Sequence, residues 1–202
     1  MKLYYSPGAC SLSPHIALLE AGLKFDLVST STKTKKLADG SDFYLINPKG
    51  SVPVLELDNG ERLTEGPAIV QYIADQAPEK NLAPANGTMA RYRLQEWLNF
   101  ITSELHKGFS PLFNPATTEE YKPQVRAKLA ERFAWVNEQL EGKQYLLGDQ
   151  FGLADIYLFV VSNWGQYVGV DIAGYPNLVA LRARVAARPA VIAAMTAEGL
   201  LK

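Results

Sequence analysis

The sequence predicts an α/β domain of order β-α-β-α-β-β-α over residues 1–77, followed by an all-helical domain over 88–202. Three observations predict it. The chain opens on a strand, a turn and a helix in immediate succession. Asn59-Gly60, set between two alternating runs, is a strong hairpin signal. Beyond residue 88, apolar residues recur at helical spacing only. Residues 77–87 (Ala-Pro-Glu-Lys-Asn-Leu-Ala-Pro-Ala-Asn-Gly) are rich in Pro, Gly and Asn, the composition of a domain boundary.

Lys2 to Tyr5 is a short apolar run with two aromatics, which suits a buried strand. Ser6-Pro7-Gly8 is turn chemistry. Ser13 followed by Pro14 reads as a helix start, a hydroxyl at the cap and proline at the first helical position. Ile16, Leu19 and Leu23 then give that helix an apolar face. Phe25 to Val28 reads as a second strand, reached by a right-handed crossover. Residues 29–41 are rich in Ser, Thr and Lys and read as a solvated loop. Asp42 to Ile46 reads as a short helix ended by Pro48. Val52 to Leu57 and Glu61 to Thr64 flank the hairpin turn as antiparallel strands. Glu65-Gly66-Pro67 begins the next helix, carrying Ile69 and Ile73.

In the second half, residues 88–107 give a long helix with Leu94, Trp97, Leu98, Ile101 and Leu105 on one face. Phe109 to Ala116 contains two prolines and reads as a loop. Residues 122–141 give a helix with Val125, Leu129, Phe133, Val136 and Leu140 spaced by three or four. Leu153 to Val168 is apolar on most sides and reads as a central buried helix. Shorter helices follow around 177–187 and 190–196. Gly152 and Asp155 form a capping pair assigned to folding.

Composition limits function. The chain has 202 residues, 48% hydrophobic and 20% charged, with a formal net charge of -1. That balance offers no field for nucleic acid or an anionic membrane. One cysteine excludes an internal disulfide framework, a multi-Cys metal site and a two-thiol redox motif. No signal-peptide pattern and no apolar run of membrane-spanning length is seen, so the cytoplasm is the expected location. The solitary Cys10 lies beside the first helix N-terminus, where partial positive charge favours a thiolate. Taken alone it fits a reactive thiol and a small buried hydrophobe equally.

The whole pattern resembles the bacterial beta-class glutathione S-transferases. Residues 1–11 (Met-Lys-Leu-Tyr-Tyr-Ser-Pro-Gly-Ala-Cys-Ser) carry the resemblance. So do Asn47-Pro48-Lys49-Gly50-Ser51-Val52-Pro53, Leu63-Thr64-Glu65-Gly66, His106 to Phe113 and Leu147-Gly148-Asp149. The resemblance implies a thioredoxin-like first domain, glutathione as co-substrate, no metal, a small apolar electrophile and a homodimer. It implies that Pro53 is cis and that Val52 pairs with the cysteinyl backbone of glutathione. It assigns Glu65 to the γ-glutamyl amine, the Gly66 N–H at a helix start to the γ-glutamyl carboxylate, and Lys35 to the glycyl carboxylate.

Asn99, Ser103 and His106 are spaced by four and three, so they share one helix face. The resemblance brings His106 and Lys107 to the glutathione thiol and glycyl carboxylate. It has Asn99, Ser103 and Glu104 line the same site or reach that of a partner subunit. Cys10 and His106 are its catalytic residues, with Cys10 able to form a mixed disulfide. His15, inside the first helix, reads as structural. Phe109, Pro111, Leu112, Phe113 and Trp164 are candidates for the electrophile pocket, or plain core. The expected activity is conjugation of glutathione to apolar electrophiles. Thiol transfer or reductive dehalogenation through Cys10, and a non-catalytic ligand carrier, stay open beside it.

Overall fold

A computed structural model describes residues 1–201. Contacts divide the chain into two compact units, one of residues 1–83 joined by the segment from Arg188 onward, the other of residues 84–187.

The first unit is built on a four-stranded sheet of order β2-β1-β3-β4. Strand β1 (Lys2–Tyr5) pairs in parallel with β2 (Asp26–Ser29) and antiparallel with β3 (Val54–Glu56), and β3 pairs antiparallel with β4 (Arg62–Thr64). The β1–β2 crossover runs through α1 (Leu12–Ala21), and α2 (Gly66–Gln76) follows β4. Side chains alternate across the strands. Leu3 faces Leu55 in the register, and both are fully buried, as are Ile16, Ile69 and Ile73 of the helices. Tyr4 and Val54, one position on, fall in a separate cluster with Phe43, closed by Val28, Leu37, Ile46 and Val52. Phe43 reaches it from a short 3₁₀ turn, Phe43–Leu45, whose cap Asp42 accepts from the Tyr44 N–H at 2.9 Å.

The first helix starts earlier than Ser13-Pro14 suggests. Ser11 is the cap residue, and both Ser13 and Pro14 lie buried within the first turn. Ser11 does not cap with its hydroxyl. Its Oγ accepts from the Ser6 N–H at 3.1 Å and donates to the Ser6 carbonyl at 3.2 Å, closing the turn that carries Cys10.

Helix α9 (Pro189–Ala197) also belongs to this unit, where the sequence division groups 88–202 together. It packs on α1, and Arg188 grips Glu20 of α1 through two bonds of 2.6 and 2.8 Å.

The second unit is helical. Helix α3 (Met89–Phe100) runs into a π-helical segment, Ile101–His106, and then α4 (Lys107–Phe113). The expected loop from Phe109 is therefore helix as far as Phe113. Pro111 forfeits one backbone bond, but Phe109 and Leu112 bury on the apolar side of that turn. Helix α5 (Lys122–Gln139) buries Val125, Leu129, Phe133 and Val136, as its spacing predicts. Helix α6 (Leu153–Asn163) is buried from Leu153 to Ser162 and is the unit's core. It ends before Trp164, and a separate turn, α7 (Gly165–Val168), continues the run read as one helix. Helix α8 (Pro176–Ala186) completes the unit. The Asp155 carboxylate accepts from the Gly152 N–H at 2.9 Å and the Leu146 N–H at 2.8 Å, so it caps α6 and ties down the loop before it. Burial pushes this carboxyl up to about 7 despite those two donors.

Candidate functional site

In the first unit, Cys10 stands directly before the cap of α1. Its Sγ donates to the Val52 carbonyl at 3.3 Å, within the limits for a sulfur donor. The Val52–Pro53 peptide bond is cis. The structure thus brings together Cys10, Val52 and Pro53, which are separated by more than forty positions in sequence.

Glu65 precedes α2 with φ 70 and ψ 110, a backbone state that a non-glycine residue rarely adopts. Such geometry costs on the order of 1–3 kcal/mol and persists only where surroundings impose it. Its side chain makes no cap bond and is mostly exposed, reaching the Lys49 ammonium. Lys49 also donates to Thr64 Oγ1 at 2.9 Å. Lys49 lies in the Asn-Pro-Lys-Gly run, yet nothing local in that run marks it as the partner of Glu65. Gly66 opens α2, and a Cβ there would meet nothing within 4 Å. Lys35 has φ 56, and its ammonium donates to the Gly50 carbonyl at 2.7 Å.

One buried acid was missed in the sequence. Glu198, just past α9, accepts from the Gly8 N–H at 2.9 Å and lies 2.8 Å from His15 Nδ1, with both side chains buried. The His15 ring packs edge-on against Phe25 at 5.6 Å. His15 is structural, as expected, but its partner ties it to the loop bearing Cys10.

In the second unit the regular face expected for Asn99, Ser103 and His106 does not exist, because 101–106 is π-helical. The wider turn rotates each later residue relative to the 3.6-residue repeat. Asn99, Ser103 and Lys107 are exposed, and Ser103 Oγ donates to the Asn99 carbonyl at 3.0 Å. The Glu104 carboxylate pairs with Arg132 of α5 at 2.8 Å. His106 is half-buried, with Nδ1 2.7 Å from the Tyr157 hydroxyl and its ring 4.8 Å from Trp164, nearly perpendicular. Phe109 is core, whereas Phe113 is half-exposed with its ring 6.1 Å from Trp164. Among the described residues, no group of three or more His, Cys, Asp or Glu could hold a metal ion.

A four-stranded βαβ-plus-hairpin unit with a cis proline beside a cysteine at a helix start, continued by a helical unit, defines a thioredoxin-like transferase fold. Comparison with known proteins narrows this. The model described as "Glutathione S-transferase, N-terminal domain" matches residues 1–75, and the corresponding C-terminal model matches residues 100–189. The chain is 49% identical over 200 residues to glutathione S-transferase GstA of Escherichia coli O157:H7, covering 99% of this chain and 100% of that one. A ternary complex of BphK, a bacterial glutathione S-transferase, superposes with TM-score 0.97 at 62% identity, covering 99% of this chain and 100% of that one. The bacterial beta-class enzyme of Sphingomonas chungbukensis gives TM-score 0.96 at 50% identity, with 100% of each chain covered. The chain belongs to the glutathione S-transferase family. Its activity at the level of that family is transfer of glutathione to a second substrate, with glutathione as co-substrate.

Proposed function

We propose that the enzyme conjugates glutathione to small apolar electrophiles as a homodimer, with Cys10 and His106 as its catalytic residues. The observation that carries the reading is the 3.3 Å bond from Cys10 Sγ to the Val52 carbonyl at the cis Val52–Pro53 bond. That backbone is the part assigned to the cysteinyl residue of glutathione, so a sulfur docked there faces Cys10. Glu65 and Gly66 take the γ-glutamyl end, and Lys35 and Lys107 the glycyl carboxylate. Asn99, Ser103 and Glu104 are retained as secondary contributors, with the Glu104 carboxylate already paired. A sphingomonad glutathione S-transferase complexed with glutathione, 50% identical with TM-score 0.96 over 100% of both chains, supports glutathione as the ligand. In conjugation the glutathione thiol gives up its proton, its sulfur pair forms the C–S bond, and the leaving group departs with its own electron pair. Phe113 and Trp164 supply the apolar wall for the electrophile.

The same placement of Cys10 supports a second activity, for which its thiol first gives up the Val52 hydrogen bond and its proton. The Cys10 thiolate attacks a mixed disulfide of glutathione and a small thiol. A new S–S bond joins Cys10 to glutathione, and the other sulfur leaves as a thiolate that takes up a proton. A second glutathione thiolate then attacks, releases glutathione disulfide and restores the Cys10 thiolate.

Wild type and Cys10→Ala, tested with a chloro-dinitrobenzene and with hydroxyethyl disulfide, separate the two. The expected result is capture on immobilised glutathione, conjugation slower in Cys10→Ala than in wild type, and disulfide activity in wild type alone. Equal disulfide activity in both forms removes Cys10 from the chemistry. Capture without turnover makes the protein a carrier. Sedimentation at twice the chain mass checks the dimer.

A further inference from the structure

We propose that Lys49 is a specificity-determining residue for the transfer reaction. Its ammonium receives the α-carboxylate of the γ-glutamyl head of glutathione, beside the Glu65 carboxylate that takes the α-ammonium. This rests on the placement of that head at Glu65 and Gly66 given above, and adds to it a cation that the motifs do not mark.

The chemistry of the ligand sets the requirement. One carbon of the γ-glutamyl residue bears both an ammonium and a carboxylate. A lone carboxylate on the protein would attract the first and repel the second. A receptor for such a zwitterion needs two opposite charges of its own, side by side and open to solvent. The first unit holds such a pair. The Lys49 ammonium meets the Glu65 carboxylate, and the two side chains are 51% and 67% exposed. Lys49 Nζ also donates to Thr64 Oγ1 at 2.9 Å. The cation therefore lies at the junction of β4 and α2, where Gly66 opens the helix.

An ion pair this exposed adds little to folding. Its acid, moreover, stands on a backbone at φ 70 and ψ 110, which costs energy to hold. Such a pair is a poor device for stability and a suitable one for a ligand with the complementary charges. When the head docks, its ammonium lies on Glu65 and its carboxylate on Lys49. The four charges then close a ring of alternating sign.

The stem of Lys49 is fixed in advance. Asn47, 2% exposed, accepts from the Lys49 N–H at 3.1 Å and donates through Nδ2 to the Ser51 carbonyl at 2.7 Å. The Gly50 N–H closes the same turn on the Asn47 carbonyl at 2.8 Å. Gly50 supplies the left-handed backbone there, φ 61. The Asn-Pro-Lys-Gly run is thus a closed turn that carries Lys49 to the end of β4. Preorganisation of this kind lowers the ordering cost of binding. A cation that only blocked Glu65 until glutathione displaced it would have the opposite effect. Its removal would improve the use of glutathione.

Three thiols separate the charges of the head. They are glutathione, γ-aminobutyryl-cysteinylglycine, which lacks the α-carboxylate, and glutaryl-cysteinylglycine, which lacks the α-ammonium. The preference is the ratio of kcat/KM for glutathione to that for an analogue, measured with a chloro-dinitrobenzene. Wild type should prefer glutathione to both. Lys49→Met keeps an unbranched stem and removes the charge. It should cut the preference over the aminobutyryl analogue about 5- to 20-fold, the effect of a charge-assisted bond discounted for exposure. The loss should fall on KM for glutathione and not on kcat. Preference over the glutaryl analogue, which keeps the carboxylate, should not fall. Glu65→Gln should do the reverse and cut the preference over the glutaryl analogue. Lys49→Arg keeps a cation that can hold a carboxylate, so its preferences should stay within about threefold of wild type. An unchanged preference over the aminobutyryl analogue in Lys49→Met overturns the proposal, as does a lowered KM for glutathione. A fall against the glutaryl analogue in Lys49→Met also overturns it, because Lys49 would then act only by placing Glu65. A wild type that uses all three thiols alike overturns instead the placement of the head at Glu65 and Gly66.

Discussion

Glu198 offers the sharpest test of how the end of the chain supports the Cys10 loop. Its carboxylate is buried and takes two short contacts, from the Gly8 N–H at 2.9 Å and with His15 Nδ1 at 2.8 Å. Gly8 and His15 bracket Cys10 in the chain. Glu198→Ala deprives both groups of this acceptor, His15 in a buried position and Gly8 in a half-buried one. Leaving a donor short of its partner costs about 1–3 kcal/mol each, so the loss should be roughly 2–6 kcal/mol. For a chain of this length each kcal/mol lowers Tm by about 2–4 °C, which puts the shift near 10 °C. Glu198→Gln should cost less. Its amide oxygen can still serve Gly8, while its NH₂ needs His15 Nδ1 bare. Guanidinium unfolding measures the stability, and the rate of Cys10 alkylation by iodoacetamide measures loop order. The rate should rise in the order wild type, Gln, Ala. An Ala variant within about 0.5 kcal/mol of wild type would refute the two-bond account.

Other predictions follow from single residues. Glu65→Gly relieves a left-handed backbone that costs a side chain energy, so stability should rise by about 1 kcal/mol while KM for glutathione rises at least tenfold; melting curves and kinetics read both. Asp155 keeps its proton in the fold up to about pH 7, well above the ordinary carboxylate value. Between those two pH values the folded state binds more protons than the unfolded, so this group's contribution to stability falls as pH rises, by at most about 1.4 kcal/mol per unit. Asp155→Asn should remove that slope from denaturation curves taken between pH 4 and 7. Phe113→Ala, at a half-exposed ring, should raise KM for an aromatic electrophile severalfold with KM for glutathione unchanged.

The first unit was legible in the sequence because its signals are local. Asn59-Gly60 announces the β3–β4 hairpin through turn geometry alone. Glu65-Gly66-Pro67 announces α2, which begins at Gly66. Strand β1 was found at its observed bounds, Lys2–Tyr5, because a four-residue apolar run beside Ser-Pro-Gly has few alternatives. Reading failed where a local rule met a stronger tertiary demand. Ser13-Pro14 looks like a helix start, yet Ser11 and Leu12 are already in place because the turn is closed by Ser11 on Ser6. Pro111 looks like a helix breaker, yet burying Phe109 and Leu112 outweighs one missing backbone bond.

The site divides along the same line. Residues recognisable by motif, such as Cys10, Pro53 and Glu65, could be named from sequence. Their partners could not. Glu198 reads as a polar residue before a chain-end glycine, and 183 positions separate it from His15. Tyr157 did leave a trace, a phenol inside an apolar run that a buried helix must satisfy. That trace says a partner exists and not which one, because the answer depends on a π-helical segment that changes the phase of every residue after Ile101. At 100° per residue, His106 should follow Thr102 by about 40° on the helix surface. The π geometry alters that angle, and both side chains meet one hydroxyl. What brings Thr102 and His106 to one hydroxyl is thus a defect in helical periodicity, the one feature that reading by periodicity assumes away.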